Sequence, residues 1–144
     1  MSETPNEYAS ANRGAPLILL ADDEPHITLV LARKLCAHGY EVVTAEDGEE
    51  AFELAQERPP ALVITDLQMP YVTGIELARS LKANEATGST PVIMLTARGY
   101  VLDPADLGST NIRYVMSKPF SAREIVEKVV DLLSDGCEGY RKSA

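Results

Sequence analysis

The sequence is poor in the features that mark several common protein classes. It has two cysteines in 144 residues, Cys36 and Cys137. Neither belongs to a CxxC pair, and two cysteines make no disulfide framework. No apolar run approaches the roughly 20 residues that a membrane-spanning helix needs. The opening residues, MSETPNEYASANRG, lack the basic start and apolar centre of a signal peptide. Dense runs of Lys and Arg are also missing, and the net charge is −9. Such a balance argues against nonspecific binding to nucleic acid or to an anionic membrane. Together these absences predict a cytoplasmic protein whose two cysteines are free thiols.

What is present reads as one globular domain. Apolar residues make up 45% of the chain and charged residues 24%, ordinary values for a soluble fold. Residues 1–15 and 135–144 are polar and read as tails around a domain at 16–134. Within it, short apolar runs at 16–21, 41–45, 61–65, 91–95 and 112–117 alternate with helical patterns. Most of these runs are continuously apolar, as in strands buried on both faces of a parallel sheet. The first helical segment starts with Pro25, stops at Gly39, and puts Ile27, Val30, Leu31 and Leu35 on one face. The last is opened by Ser121 and Glu124 at capping-box spacing, with Ile125, Val126, Val129 and Leu133 as its stripe. The fourth contains Pro104 and Gly108 and predicts a short or irregular helix. The alternation gives a (βα)5 α/β fold with helices on both faces of an open parallel sheet.

Ligands of such sheets bind beyond the carboxyl ends of the strands. The first strand, in LILLADDEP, delivers Asp22, Asp23 and Glu24 there. The third delivers Asp66, the fourth Thr96 and Ala97, and the fifth Lys118 followed by Pro119. Each has an ordinary reading alone: a wet acidic loop, a turn cap, a helix cap, a surface lysine. Their convergence on one edge changes the balance. Two carboxylates about 5 Å apart repel by roughly 3 kcal/mol at an effective dielectric near 20, so three such pairs cost on the order of 10 kcal/mol. One lysine does not offset that, whereas a hard divalent cation does. Carboxylates, cation, lysine and hydroxyl together make a cage for a phosphoryl group, in which a carboxylate can itself be the nucleophile.

The strings LADDEP, ITDLQMP, MLTA and SKPF, in this order and each at a strand end, resemble the receiver domain of bacterial two-component response regulators. The resemblance covers about residues 16–134 and is specific because four motifs recur together. It implies a flavodoxin-like doubly wound sheet of strand order 2-1-3-4-5. It also implies a stand-alone signalling switch, not an enzyme, that accepts a phosphoryl group on Asp66 from a histidine kinase or histidine phosphotransfer protein. By the same resemblance Asp22, Asp23, Asp66 and the backbone carbonyl of Gln68 hold Mg2+ (or Mn2+). Thr96 and Lys118 then contact the phosphoryl group, and Ala97 leaves room for it. Pro119 follows a cis peptide bond, and Arg98 and the Gln68 side chain border the site. The expected partners are the phosphodonor and a downstream protein target, with no nucleic acid or membrane; a weak homodimer is compatible with the family. Glu24 matches no firm role in the family and reads as a charge at the start of a helix.

Two features depart from the family pattern. An aromatic residue usually stands three positions before the lysine, where this chain has Val115; Tyr114 is one step away and so on the opposite strand face. The weak fourth helix is the other departure. Together they shift the expected route of signalling to a rearranged loop around Tyr100 to Leu107, in place of an aromatic rotamer. Three competing readings fit the residues less well. An aspartyl-phosphate hydrolase lacks room for a cap domain and a second placed acid. A phosphorylation-independent adaptor does not need the full set of acids, Thr96 and Lys118. Flavin binding rests on fold analogy alone, with acids where a phosphate loop would be required.

Overall fold

The computed structural model describes residues 14–97 and 99–138, with side chains described up to Ser134. Five strands, β1 (Leu17–Ala21), β2 (Glu41–Ala45), β3 (Leu62–Asp66), β4 (Val92–Thr96) and β5 (Ile112–Ser117), form one sheet in the order β2-β1-β3-β4-β5. Every pairing is parallel. The connecting helices are α1 (Pro25–Ala37), α2 (Gly48–Glu57), α3 (Gly74–Ala83), α4 (Pro104–Gly108) and α5 (Ala122–Glu138). The doubly wound α/β architecture and its strand order agree with the sequence reading.

The strands β1, β3 and β4 are buried along their whole length, which is why they read as unbroken apolar runs. Alternate side chains feed two cores. Ile18, Leu20, Ile64 and Ile93 pack against Leu31 and Leu35 of α1 and Ile125 and Val129 of α5. Leu19, Val63 and Met94 pack on the other face with Ala51 and Ala55 of α2 and Leu77 and Leu81 of α3. In α1 the expected stripe is narrower: Leu31 and Leu35 are buried, but Val30 is 55% exposed.

Local signals explain the boundaries. Pro25 occupies the first turn of α1, and the chain leaves the helix through Gly39 at φ 95°. Asp47 caps α2, Thr73 and Glu76 form a reciprocal capping box on α3, and Ser121 and Glu124 do so at the start of α5. The fourth helix is five residues long, between Pro104 and Gly108. The backbone of α5 runs to Glu138, past the position where the sequence reading begins a polar tail; residues 139–144 and 1–13 lie outside the described residues, as does the Cys137 side chain. Among the described residues no helix is long and apolar enough to cross a membrane.

The third and fourth strands end one residue later than their apolar runs. Ladder bonds Leu67 N–H to Leu95 O (2.9 Å) and Lys118 N–H to Thr96 O (2.8 Å) extend pairing over the polar residues. Asp66 and Thr96 are thus the last residues of β3 and β4, held by the sheet itself.

Candidate functional site

At the carboxyl edge of the sheet, β1 and β3 carry Asp22, Asp23 and Asp66 toward one another, with oxygen atoms from all three within 4.8 Å. The position lies between β1 and β3, whose onward connections run to opposite sides, to β2 and to β4 respectively. A cleft of about 320 Å³ opens there, lined by Asp23, Glu24, Asp66, Gln68, Ala97 and Lys118. Its floor is tight. A Cβ on Gly74 would come within 2.5 Å of the Asp66 carbonyl oxygen, so only glycine lets α3 start directly against the end of β3. Lys118 arrives from the end of β5, ahead of Pro119, and the peptide bond between them is cis.

The lysine meets three acids. Its Nζ lies 3.1 Å from Glu24 Oε1, 3.5 Å from Asp66 Oδ2 and 4.0 Å from Asp22 Oδ2. Burial pushes the Asp66 carboxyl above its ordinary value; Lys118 and a backbone hydrogen bond from Gln68 oppose this, and Asp23 adds to it. Asp22 is pushed up to about 6, first by burial and further by Asp66 and Glu24, against the pull of the Glu24 N–H and of Lys118. Burial works against the Lys118 ammonium as well, but the Glu24 hydrogen bond and the Asp22 and Asp66 charges outweigh it and raise its pKa.

Asp22 accepts from the Glu24 N–H at 2.9 Å through Oδ1. Its other oxygen, Oδ2, is buried with no hydrogen-bond partner. A buried orphan acceptor costs about 1–3 kcal/mol, more when charged. An oxygen-only donor set of three carboxylates, one with a spare buried oxygen, fits a hard divalent cation such as Mg2+. Thr96 is fully buried and its Oγ1 likewise has no partner.

A family model for the response regulator receiver domain matches residues 18–130. The chain belongs to this family. Among curated relatives, the receiver domain resembles the phosphate regulon transcriptional regulatory protein PhoB of Pseudomonas aeruginosa, at 38% identity over 81% of this chain and 51% of that protein. It also resembles a probable transcriptional regulator, ycf27, of Cyanophora paradoxa, at 41% identity over 81% of this chain and 47% of that protein. It therefore spans about half the length of the curated relatives it matches. Among solved structures, the receiver domain of the Francisella response regulator 1452 is similar at a TM-score of 0.76 and 30% identity, over 84% of this chain and 98% of that one. The receiver domain of sensor histidine kinase PA1611 from Pseudomonas aeruginosa, solved with a magnesium ion coordinated in its active-site cleft, is similar at 0.74 and 25%, over 84% and 99%.

In this receiver domain most residues singled out from sequence meet at one place. Asp23, Asp66, Gln68, Ala97 and Lys118 line the cleft, and Asp22 lies just beneath it. Arg98 lies outside the described residues. Val115 is away from the cleft and 39% exposed. Tyr114 is turned to the opposite face, as one-residue spacing predicts: its hydroxyl donates to Asp131 at 2.5 Å, and Lys128 stands 5.0 Å from its ring centre. An irregularity in the β4–β5 register leaves Arg113 unpaired between Ile112 and Tyr114. Ile112 consequently faces one core while Tyr114 and Met116 face the other.

Glu24 is a correction. Sequence reading gives it to the start of α1. It does occupy the N-cap position, but its side chain makes no capping bond there; its carboxylate accepts from Lys118 instead. The signal was present in the sequence. Glutamate is not among the preferred N-cap residues, whose short side chains reach back to the helix amides, so a Glu at this boundary had to direct its charge elsewhere.

Proposed function

We propose that the protein is a phosphorylation-dependent signalling switch in which Asp66 accepts a phosphoryl group from the phosphohistidine of a histidine kinase or histidine phosphotransfer protein. In this reading an Asp66 carboxylate oxygen forms the new O–P bond. The P–N bond breaks, and its electron pair stays on the imidazole. The observation that carries the reading is the position of Asp66: the last residue of a fully buried strand, 3.5 Å from the Lys118 ammonium and beside two further carboxylates.

Asp22, Asp23 and Asp66, with the Gln68 backbone carbonyl, would hold the Mg2+ (or Mn2+). When bound, the cation neutralises the carboxylates and the phosphoryl oxygens. Lys118 supplies a positive charge to a phosphoryl oxygen on the other side. Thr96 brings a buried hydroxyl without a competing partner, able to donate to another oxygen. Ala97, with its single methyl group at the rim, leaves that space open. The chemistry is therefore positioning and charge compensation, with Asp66 as the nucleophile. A modified Asp66 redistributes the contacts of Lys118 and Thr96, and a downstream protein reads the altered surface.

Incubation with acetyl phosphate and Mg2+ should label the wild-type protein. Asp66→Asn should reduce labelling by at least about 100-fold, since an amide does not replace the carboxylate as nucleophile, and chelation of divalent cations should abolish it. Labelling retained in Asp66→Asn would falsify the assignment.

A further inference from the structure

We infer that Glu24 is a positioning residue that holds the Lys118 ammonium in reserve, so that a phosphoryl group on Asp66 must take the lysine from Glu24. The inference rests on Asp66 being the phosphoacceptor. It adds a competitor within the site, which sets how readily the site accepts an anion.

The placement of Glu24 is fixed from both sides. Its N–H donates to Asp22 Oδ1 at 2.9 Å, and its carbonyl accepts from the amides of Ile27 and Thr28 at 3.1 and 3.2 Å. With the backbone held and no helix amide capped, the carboxylate pairs with Lys118. Lys118 is closer to Glu24 than to either buried acid, 3.1 Å against 3.5 and 4.0 Å. Glu24 does not belong to the cluster of three carboxylates within 4.8 Å, so its charge serves the lysine and not the proposed cation.

Exposure makes the exchange reversible. The side chains of Glu24 and Lys118 are 46% and 27% exposed, against 6% for Asp66. Glu24 can return to water when it loses the lysine, whereas Asp66 cannot. A phosphoryl group offers more charge than a carboxylate and three strong acceptor oxygens, so it outcompetes Glu24 for the ammonium. Until then Glu24 keeps the lysine partly engaged and adds one negative charge at the mouth of an anion site. Both effects oppose anion binding, and both disappear when the carboxylate is neutralised.

The test is titration of the full chain with beryllofluoride, a phosphoryl mimic, at saturating Mg2+, followed by 19F NMR. Glu24→Gln should bind it about three- to tenfold more tightly than wild type, the range expected for a partly exposed charge-assisted pair. Glu24→Asp, which restores the charge on a shorter arm, should fall between the two. In a Lys118→Ala background the gain from Glu24→Gln should shrink by at least half on a logarithmic scale, because the competition has lost its object. A residue that merely starts α1 would change thermal stability and leave these affinities alone. Equal or weaker binding by Glu24→Gln overturns the inference, and so does a gain that persists in full without Lys118. If the wild type binds no beryllofluoride, or Asp66→Asn binds it equally well, the phosphoacceptor assignment has failed and this inference falls with it.

Discussion

Glu41 and Asp22 are both acids with 2% relative exposure, and the structure treats them in opposite ways. Glu41 opens β2, an edge strand, and its carboxylate meets the Arg58 guanidinium at 2.5 Å. The pair raises the Arg58 pKa, as expected when a guanidinium gains a buried anionic partner. Asp22 has one oxygen with a single backbone donor and another with none, and Lys118, 4.0 Å away, stands closer to two other acids. One buried charge is complete within the chain. The other is left incomplete at a cleft, with its pKa pushed up to about 6. Incompleteness of this kind destabilises the fold and is retained where a ligand completes it.

The sharpest way to break the comparison is to neutralise each acid. In the metal-free protein Asp22 keeps its proton up to about pH 6, against an ordinary value of 3.8. Between those two values the folded state binds a proton that the unfolded state does not. Stability therefore falls as pH rises through that window, and the loss is complete above it. Asp22→Asn escapes the loss, so the metal-free variant should be more stable than wild type by on the order of 3 kcal/mol at about pH 7.5, with the difference vanishing near pH 4. Added Mg2+ should stabilise the wild type, by about 2.7 kcal/mol at a hundredfold excess over Kd, and stabilise the variant far less. Urea unfolding at several pH values, with chelator or with Mg2+, measures all of this; a metal-free Asp22→Asn less stable than wild type at neutral pH contradicts the account.

Glu41→Gln should behave oppositely. It breaks a finished pair and weakens the bond to Arg58, so it should cost about 1–2 kcal/mol with or without Mg2+. The same unfolding curves report it, and an Mg2+-dependent cost would show that the two acids are not separate.

The smallest effect extends the comparison to hydroxyls. Thr87 and Thr96 are both fully buried. Thr87 Oγ1 donates to the Leu81 carbonyl at 2.7 Å, whereas Thr96 Oγ1 has no partner. Thr87→Val should cost about 1 kcal/mol, while Thr96→Val should be neutral or slightly stabilising and should weaken phosphorylation instead. Equal costs at the two positions would mean that Thr96 is hydrogen-bonded in solution.

Much of this was legible because local rules and global fold agree. Buried parallel strands must be apolar on both faces, so LILLA, LVIT and VIML marked the sheet. Helix-start chemistry marked Ser121, Glu124 and Pro25, and Pro104 with Gly108 marked the weak helix. Polar residues closing apolar strands then pointed to Asp22, Asp66, Thr96 and Lys118. The errors arose where a residue's partner is distant in sequence. Glu24 and Lys118 are 94 positions apart, and no local pattern reports such a pair. Val30 satisfies the helical period but lies at the edge of the face that α1 presents to the sheet, where 55% of it remains exposed.

The sequence by itself determined the alternation of strands and helices, the chain ends of the strands, and which polar residues stand at them, because periodicity and termination are local properties. Tertiary structure decided how those residues share the site. It left one Asp22 oxygen without a partner, turned Tyr114 onto α5 after an unpaired Arg113, and gave Lys118 to Glu24 ahead of Asp66. Those outcomes depend on strand register and on the relative distances of residues that only the packed sheet brings together, where burial and charge decide which partner wins.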